Sequence, residues 1–182
     1  MEKEKLIEKK KESREMYNGV LLHVFSDTVE LPDGADATRE YIKHLGAVCI
    51  VPLTDDGKVV MEYQYRYPVG RVVLEIPAGK LDSAQENPLD AAKRELKEET
   101  GLEADEWIEI GHYMPAPAYA LEDITMFIAK GLHTGERHLD SEEFIEICEI
   151  PLDDLVNDIM SGKISDGKTQ IAILKTKLLM TQ

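Results

Sequence analysis

Positive charge and long apolar runs are scarce in this sequence of 182 residues. Lysine and arginine number 21 against 36 aspartate and glutamate, which gives a net charge of −15 at pH 7. This balance argues against binding to a nucleic-acid backbone, because such binding needs clustered positive side chains. No stretch approaches the roughly 20 apolar residues that span a bilayer, and the charged start lacks the apolar centre of a signal peptide. We therefore expect a cytoplasmic protein with no nucleic-acid or membrane partner.

Cysteine and nucleophile arrangements are also sparse. Cys49 and Cys148 each lie within an apolar run and are predicted to be reduced core residues. The five histidines show no metal-ligand spacing, and no Ser/His/Asp or Cys/His arrangement is evident. A histidine metal centre and a covalent triad are therefore not expected.

The chain is long enough for one domain with a real core, since 43% of its residues are apolar. The charged segment 1–16 is predicted to be a frayed helix or a disordered arm. Short alternating runs punctuated by turns predict strands in 17–45 and through much of 46–182. Later apolar spacing predicts helices within 151–165 and 166–180. We therefore expect an α/β or α+β fold with mixed β-sheet flanked by helices.

The stretch 79–102 predicts a loop, one helix and a glycine stop. Asn87 is a favourable N-cap, and Pro88 suits the first helical position, where its missing N–H costs nothing. The body up to Thr100 is rich in good helix formers, and Gly101 is the expected C′ residue in a left-handed conformation. Both ends of this helix are therefore marked in the sequence.

Three carboxylates, Glu95, Glu98 and Glu99, share one face of this helix beside a narrow apolar stripe. Like charges at this spacing destabilise a helix by roughly a few tenths of a kcal/mol per pair, so a neutralising partner is expected. Mg²⁺ takes carboxylate oxygens and leaves other positions to water and substrate phosphate, which suits the cluster. An acidic helix face is more often solvated surface, and the residues around it decide between the two interpretations.

The same stretch contains, in order, Gly79, Glu86, Arg94, Glu95, Leu96, Glu98, Glu99, Gly101 and Leu102. This series closely resembles the Nudix box, G-x5-E-x7-R-E-U-x-E-E-x-G-U, where U is aliphatic. From Glu86 onward the match has no gaps, but six residues instead of five separate Gly79 from Glu86, and Gln85 occupies the strict position. Because an extra loop residue is cheap to accommodate, we interpret it as a longer loop rather than as a broken site.

Other segments resemble the ADP-ribose pyrophosphatase branch of the Nudix family. They are HLGAVCIVPL, EYQYRYPVG, LEIPAGKLD and KISDGKTQIAIL, and NGVLLHVFSDTVELPDG is similar to the leading strands of that branch. The resemblance covers most of residues 17–175. It implies a Nudix-type α/β/α sandwich with mixed β-sheet in 46–182 and an additional N-terminal β-element in 17–45. In this branch the leading strands usually help to form a homodimer.

The resemblance also implies an activity. It is Mg²⁺-dependent hydrolysis, with Mn²⁺ as a possible substitute, of the diphosphate linkage of ADP-ribose or a related nucleoside diphosphate sugar. The products are AMP, or another nucleoside monophosphate, and ribose 5-phosphate, or another sugar phosphate. The alternative is a non-catalytic Nudix-fold protein that binds or senses such a nucleotide. The intact Glu95, Glu98 and Glu99 favour the enzyme, since a sensor could have lost any of them.

Position in the motif implies the metal ligands. Glu95 and Glu99 are the main ligands, Glu98 is a further or water-mediated ligand, and the Ala78 carbonyl is a backbone ligand. Arg94 is implied to orient the carboxylates through charge-assisted hydrogen bonds, although an ordinary surface arginine is the alternative. Arg94 and Glu98 are therefore also counted as catalytic candidates.

The general base of this branch comes from an acidic loop before a late strand, which here is LDSEEFIE. The position that supplies the base in this branch can fall on Ser141 here, and Glu142 and Glu143 are the neighbouring candidates. Glu143 ranks first because the following Phe144-Ile145 is expected to anchor it. Glu122 in PAPAYALEDI is a second contender and a candidate substrate contact. A solvated loop acid is the alternative interpretation for the base.

Arg66 is the first candidate for contact with substrate phosphate, because guanidinium binds phosphate oxygens bidentately. Arg71 is a weaker candidate for the same role. Glu75 is a candidate substrate-binding carboxylate near the metal face, but it could equally be a structural partner of Arg66.

Overall fold

A computed structural model of the chain describes residues 3–139 and 143–181, which fall into two units. The first contains the residues up to Leu45 together with Ala116–Glu122. The second contains Gly46–Pro115 together with the residues from Asp123 onward. No helix in the described part of the chain is long and apolar enough to cross a membrane.

The first unit contains a short 3₁₀ helix at Lys3–Leu6, β1 (Lys9–Asn18), β2 (His23–Glu30) and β3 (Asp36–Lys43). The strands form an antiparallel sheet in the order β1-β2-β3. Residues 116–122 join the same unit, because the Leu121 N–H donates to the Ile42 carbonyl at 2.9 Å. This sheet is the additional N-terminal β-element that the sequence predicts.

Strand β1 departs from the expectation for segment 1–16. The sequence predicts a frayed helix or a disordered arm there, whereas the chain from Lys9 onward pairs with β2 along its length. Every residue of β1 is exposed, and ion pairs such as Lys9 with Glu30, at 3.5 Å, connect it to its neighbour. Pairing with a later strand stabilises this segment, and local composition does not report such pairing.

In chain order the second unit contains β4 (Ala47–Pro52), β5 (Lys58–Arg66), a 3₁₀ turn (Tyr67–Val69), β6 (Arg71–Glu75), β7 (Ala78–Lys80), α1 (Pro88–Thr100), β8 (Leu102–Tyr113), β9 (Ile124–Thr134), β10 (Ile145–Pro151), α2 (Leu152–Met160) and α3 (Gly167–Met180). One sheet is antiparallel in the order β10-β5-β6. The other has the order β7-β4-β9-β8 and is mixed, because β4 and β9 run parallel. The predicted mixed sheet with flanking helices is confirmed.

Strand β4 is buried along its whole length. Alternate side chains of a strand point to opposite faces, so Cys49 and Val51 enter one apolar core while Val48 and Ile50 enter another. The first core is shared with β5, β9, α2 and α3, and the second with β9 and α1. Helices therefore cover both faces of the mixed sheet, as the α/β/α prediction requires.

The two cysteines are free thiols that pack with the first of these cores. Cys49 is fully buried and Cys148 is half-buried. Burial raises the pKa of Cys49 to about 12, so its thiol stays protonated and unreactive. Both residues therefore act as packing groups.

Candidate functional site

Helix α1 has the ends that the sequence marks. The Asn87 side chain accepts a hydrogen bond from the Leu89 N–H, Pro88 is the first helical residue, and Gly101 ends the helix with a positive φ of 71°. The apolar face buries Ala92 and neighbouring side chains against β4 and β9. This packing fixes the rotation of the helix and so decides where its glutamates point.

Arg94 lies at the centre of a group of carboxylates. Its Nη1 donates to Glu95 Oε1 at 2.7 Å and to Glu98 Oε2 at 3.1 Å, and its Nη2 donates to the Lys80 carbonyl at 3.1 Å. Both Nε and Nη2 lie 3.3 Å from Glu86 Oε1. Burial lowers the pKa of Arg94, but its carboxylate partners raise it by more, so the guanidinium stays charged. Arg94 therefore holds three box glutamates in place.

Glu86 keeps its place beside Arg94 despite the longer loop. Its Oε2 also accepts a hydrogen bond from the Asp82 N–H at 2.5 Å. That backbone bond and Arg94 lower the pKa of Glu86, so it is ionised and closes the loop onto the helix. The extra residue after Gly79 is accommodated within the loop.

Strand β7 brings backbone atoms directly against the glutamates. A Cβ on Gly79 would lie 2.0 Å from the carboxyl carbon of Glu95, so only glycine fits there without moving that side chain. The Ala78 N–H donates to Glu99 Oε2 at 3.0 Å. The residue whose carbonyl is predicted to bind metal is therefore in contact with a predicted carboxylate ligand, although its role as a ligand stays a prediction.

Glu99 is deeply buried, with 3% of its surface exposed, whereas Glu95 and Glu98 are half-buried. Burial raises the pKa of Glu99, and the nearby carboxylates Glu62 and Glu95 raise it further. Burial also raises the pKa of Glu95 in spite of its bond to Arg94. This face of α1 therefore brings together carboxyl groups whose ionised forms the protein itself does not fully stabilise.

Glu62 on β5 is a member of this site that the sequence analysis missed. It is fully buried, and neither carboxylate oxygen has a hydrogen-bond partner within the described residues. Burial raises the pKa of Glu62, as does the facing Glu75, while Lys168 and Arg66 lower it. A charged residue inside the apolar run of β5 was the available signal, since such residues are rarely buried without a reason.

Glu75 accepts hydrogen bonds from two cationic side chains. Arg66 donates to it from Nε at 2.7 Å and from Nη2 at 3.0 Å, and Lys168 Nζ also bonds its Oε2. Lys168 lies 3.2 Å from Asp166 as well, and its pKa is raised because these two acids outweigh the effect of its burial. The structural-partner interpretation of Glu75 therefore matches its contacts, and the phosphate role of Arg66 stays a prediction.

Lys168 and Asp166 were not singled out from the sequence, although they lie in the segment KISDGKTQ that carries part of the resemblance. Asp166 is the N-cap of α3, since its Oδ2 accepts from the Thr169 N–H at 2.9 Å. Thr169 Oγ1 in turn accepts from the Ile76 N–H at 3.1 Å. The start of α3 is thus fastened to the strand end that carries Glu75.

Glu143, which lies shortly before β10, acts electrostatically on the same carboxylates. Glu143 is half-buried, and its charge raises the pKa values of Glu62, Glu95 and Glu99, after burial and nearer groups. Arg137 joins the start of β10 to the helix end, because its Nε donates to the Glu99 carbonyl at 2.6 Å and its Nη2 to the Ile145 carbonyl at 3.0 Å. The sequence analysis did not identify Arg137.

The predicted anchor of Glu143 is only half correct. Ile145 is buried at the start of β10, but Phe144, which precedes the strand, is 83% exposed. Glu142 and Ser141 lie outside the described residues.

Arg71 and Glu122 are the two remaining candidates. Arg71 is exposed and donates to Ser165 Oγ at 2.8 Å. Glu122 belongs to the first unit, where it is half-buried. Their substrate roles remain predictions.

The donor set fits a hard divalent cation. Within residues 3–139 and 143–181 no three carboxylate, histidine or cysteine side chains form a ready-made metal cage, and Glu95, Glu98 and Glu99 instead accept hydrogen bonds from Arg94 and from the Ala78 N–H. The donors are all oxygens, however, and both oxygens of Glu62 lack a hydrogen-bond partner in the part of the chain that the structure describes. Oxygen ligands, several of them carboxylates, are what Mg²⁺ prefers.

Comparisons with known proteins agree with this geometry. The NUDIX domain model matches residues 43–169. The chain is 39% identical over 170 residues to an ADP-ribose pyrophosphatase of Bacillus subtilis, covering 92% of this chain and 91% of that one. It is 38% identical over 172 residues to a methanol dehydrogenase activator of Bacillus methanolicus, covering 93% and 92%.

A crystal structure described as an ADP compounds hydrolase shares the fold, with a TM-score of 0.83 at 22% identity, covering 97% of this chain and 96% of that one. The box residues, their arrangement on α1 and the extent of these matches lead to one conclusion. The chain belongs to the Nudix hydrolase family.

Proposed function

We propose that this enzyme hydrolyses the diphosphate linkage of ADP-ribose, or of a related nucleoside diphosphate sugar, with Mg²⁺ as the preferred metal and Mn²⁺ as a substitute. The products are AMP and ribose 5-phosphate, or the corresponding nucleoside monophosphate and sugar phosphate. The observation that carries the proposal is the glutamate face of α1, held by Arg94 and facing the backbone of β7. The ADP-ribose pyrophosphatase among its relatives supports the substrate class.

Glu95 and Glu99 would hold the cation, with Glu98 and the Ala78 carbonyl as further donors. When bound, a divalent cation neutralises phosphate oxygens and lowers the pKa of water, which the anionic diphosphate otherwise repels. Arg94 orients Glu95 and Glu98 by its short bonds to both, so less reorganisation is needed when the site is filled. Because Gly79 has no side chain, the Glu95 carboxylate can lie directly against the β7 backbone.

Glu143 is our candidate for the group that accepts the proton of the attacking water. Its half-buried position and its electrostatic effect on Glu95 and Glu99 support this role. Arg137 donates hydrogen bonds to the Glu99 carbonyl at the end of α1 and to the Ile145 carbonyl at the start of β10. Such a tether limits the distance that Glu143 can move from the glutamate face. Glu142 and Glu122 are the alternatives.

Arg66 is our candidate for the substrate phosphate. Glu75 holds its Nε and Nη2, while 41% of the Arg66 side chain remains exposed. A guanidinium fixed on one edge can present its other N–H groups to phosphate oxygens. Arg71 and Glu122 are proposed as additional substrate contacts.

The assembly and compartment are also proposals. Exposed apolar side chains at the start of the first unit, among them Met16, Tyr17, Val20, Leu21 and Leu22, support a homodimer formed through that unit. The free thiols of Cys49 and Cys148 support a reducing compartment, and we propose the cytoplasm.

A substrate panel tests the function. Purified protein is assayed with Mg²⁺ on ADP-ribose, other nucleoside diphosphate sugars, dinucleotides and nucleoside triphosphates, and the products are identified chromatographically. We expect ADP-ribose to be among the best substrates, ahead of the triphosphates, with AMP and ribose 5-phosphate as products. Binding of ADP-ribose without turnover would indicate a sensor, and a higher kcat/KM on a triphosphate would assign the chain to another branch.

A further inference from the structure

Glu62 presents a fully buried carboxylate for which the described residues supply no hydrogen-bond donor. Burying a polar group without a partner is costly, and burying an unpaired charge costs still more. A buried group of this kind is explained by a bound ion, by an ordered water or by a catalytic role. The carboxylates around Glu62 favour a cation among these.

The pairing of β5 with β6 explains why Glu62 is left without a cation. Glu62 stands directly opposite Glu75 in the antiparallel register. Glu75 takes both nearby cations, Arg66 in two hydrogen bonds and Lys168 in another. Two carboxylates facing each other across strands repel, so the partnered Glu75 adds to the cost of ionising Glu62.

The strand opposite Glu62 leads, three residues after Glu75, to Ala78, whose N–H donates to Glu99 Oε2 on α1. Among nearby charged groups Glu62 is the strongest influence on Glu99, and Glu143 acts on both residues. Glu62 and Glu99 are each almost completely buried. A small divalent cation between them would neutralise both carboxylates at once. Hard cations bind carboxylate oxygens as ligands.

We propose that Glu62 is a ligand of a divalent cation that it shares with Glu99, so that strand β5 as well as helix α1 supplies a carboxylate for metal. The inference extends the proposed function. It rests on that function for the role of the cation in hydrolysis. It assigns a direct role to a residue outside the Nudix box.

The test compares Glu62→Gln with the matched control Glu146→Gln in metal-free protein. Glu146 lies on β10, which pairs with β5 in the same sheet, but its side chain is exposed. Mn²⁺ alone is titrated in the absence of substrate, by electron paramagnetic resonance of the free ion and by calorimetry. We expect Glu62→Gln to lose one Mn²⁺ or to bind at least about tenfold more weakly, a loss of the size found when metal-site residues are altered. Glu146→Gln should match the wild type.

Unchanged Mn²⁺ stoichiometry and affinity in Glu62→Gln would overturn the inference and leave Glu62 as a protonated packing group. Folding of each variant is checked by near-UV circular dichroism. If Glu62→Gln fails to fold, Glu62→Asp takes its place, since it keeps the charge and shortens the side chain. The same weakening is expected for it, and wild-type affinity would again overturn the inference.

Turnover of ADP-ribose by the wild type is measured separately. Hydrolysis together with unchanged Mn²⁺ binding in Glu62→Gln rejects the inference and keeps the proposed function. Weakened Mn²⁺ binding in Glu62→Gln, together with a wild type that does not hydrolyse ADP-ribose, keeps the inference and rejects the function.

Discussion

The Ala78 N–H donates a hydrogen bond to Glu99 Oε2 at 3.0 Å, and this contact joins strand β7 to helix α1. The loop between them can vary in length as long as both ends stay fixed. Glu86 and Arg94 close the loop onto the helix on the other side of the glutamate face. One extra residue after Gly79 therefore leaves the arrangement of Glu95, Glu98 and Glu99 intact.

Substitution of Gly79 tests the close approach of β7. In Gly79→Ala the new Cβ would occupy the position of the Glu95 carboxylate, so that side chain must move. A displacement of about 1 Å in a catalytic group costs on the order of 10²-fold, and we expect kcat/KM to fall by about that factor. The measurement is the steady-state rate on ADP-ribose, with Lys80→Ala, an exposed neighbour, as the control. Near wild-type activity in Gly79→Ala would show that Glu95 is free to relocate.

Arg94 is expected to act through the glutamates it holds. Arg94→Lys keeps the charge but replaces the planar fork by a single ammonium, which cannot reach Glu86, Glu95 and Glu98 together. We expect a 10- to 100-fold loss in metal affinity or activity, of the order seen when partners of metal ligands are removed. Lys93→Ala on the same helix is the control. Equal metal affinity in Arg94→Lys and the wild type would reduce Arg94 to an ordinary surface arginine.

The general base is tested by three substitutions. If Glu143 accepts the proton, Glu143→Gln should lower kcat by about 10²- to 10⁴-fold, while KM and metal affinity stay nearly constant, because a base acts mainly in the transition state. Glu142→Gln and Glu122→Gln should then have little effect. A large kcat loss in either of these, with Glu143→Gln near wild type, would transfer the role. If all three stay active, no single carboxylate among them is the base.

Metal-free protein should lose stability as the pH rises. Burial and neighbouring acids raise the pKa values of Glu62 and Glu99 above the ordinary glutamate value of 4.5. Above that pH the unfolded chain releases these protons while the folded chain keeps them, so the free energy of unfolding falls with pH until the folded groups ionise. The slope is about 1.4 kcal/mol per pH unit for each retained proton.

Urea unfolding in excess chelator between pH 5 and pH 8, roughly half a unit to three and a half units above the ordinary glutamate pKa, measures this slope. Glu62→Gln should flatten it, whereas Glu146→Gln should keep it. Stability that rises over this interval in the wild type would mean that Glu62 and Glu99 ionise normally.

The features that the sequence predicted correctly depend on interactions between residues close together in the chain. Asn87, Pro88 and Gly101 mark the ends of α1 through hydrogen bonds and φ angles within a few residues, and the structure confirms them. The spacing of Glu95, Glu98 and Glu99 likewise follows from helical geometry alone. The family and the fold were accessible for the same reason, since the box is a contiguous pattern.

The parts that the sequence did not reveal depend on distant pairings. Glu62 has no hydrogen-bond partner among the described residues, because Arg66 and Lys168 bond to Glu75 on the neighbouring strand. The register of β5 with β6 places Glu62 opposite Glu75. Lys168 lies 93 residues from Glu75 in the chain. Arg137 acts through backbone carbonyls, which leave no signature in the residue types around it. Phe144 was expected to help anchor Glu143, although its side chain is 83% exposed.

The central claim is metal-dependent hydrolysis of ADP-ribose by the glutamate face of α1, and one measurement tests it most directly. The initial rate of AMP formation from ADP-ribose is recorded with Mg²⁺, with excess chelator, and for Glu99→Gln with Mg²⁺. We expect wild-type turnover only with Mg²⁺, and a collapse of turnover in Glu99→Gln with its fold retained by circular dichroism. Wild-type turnover that survives excess chelator, or Glu99→Gln activity equal to wild type, would contradict the claim.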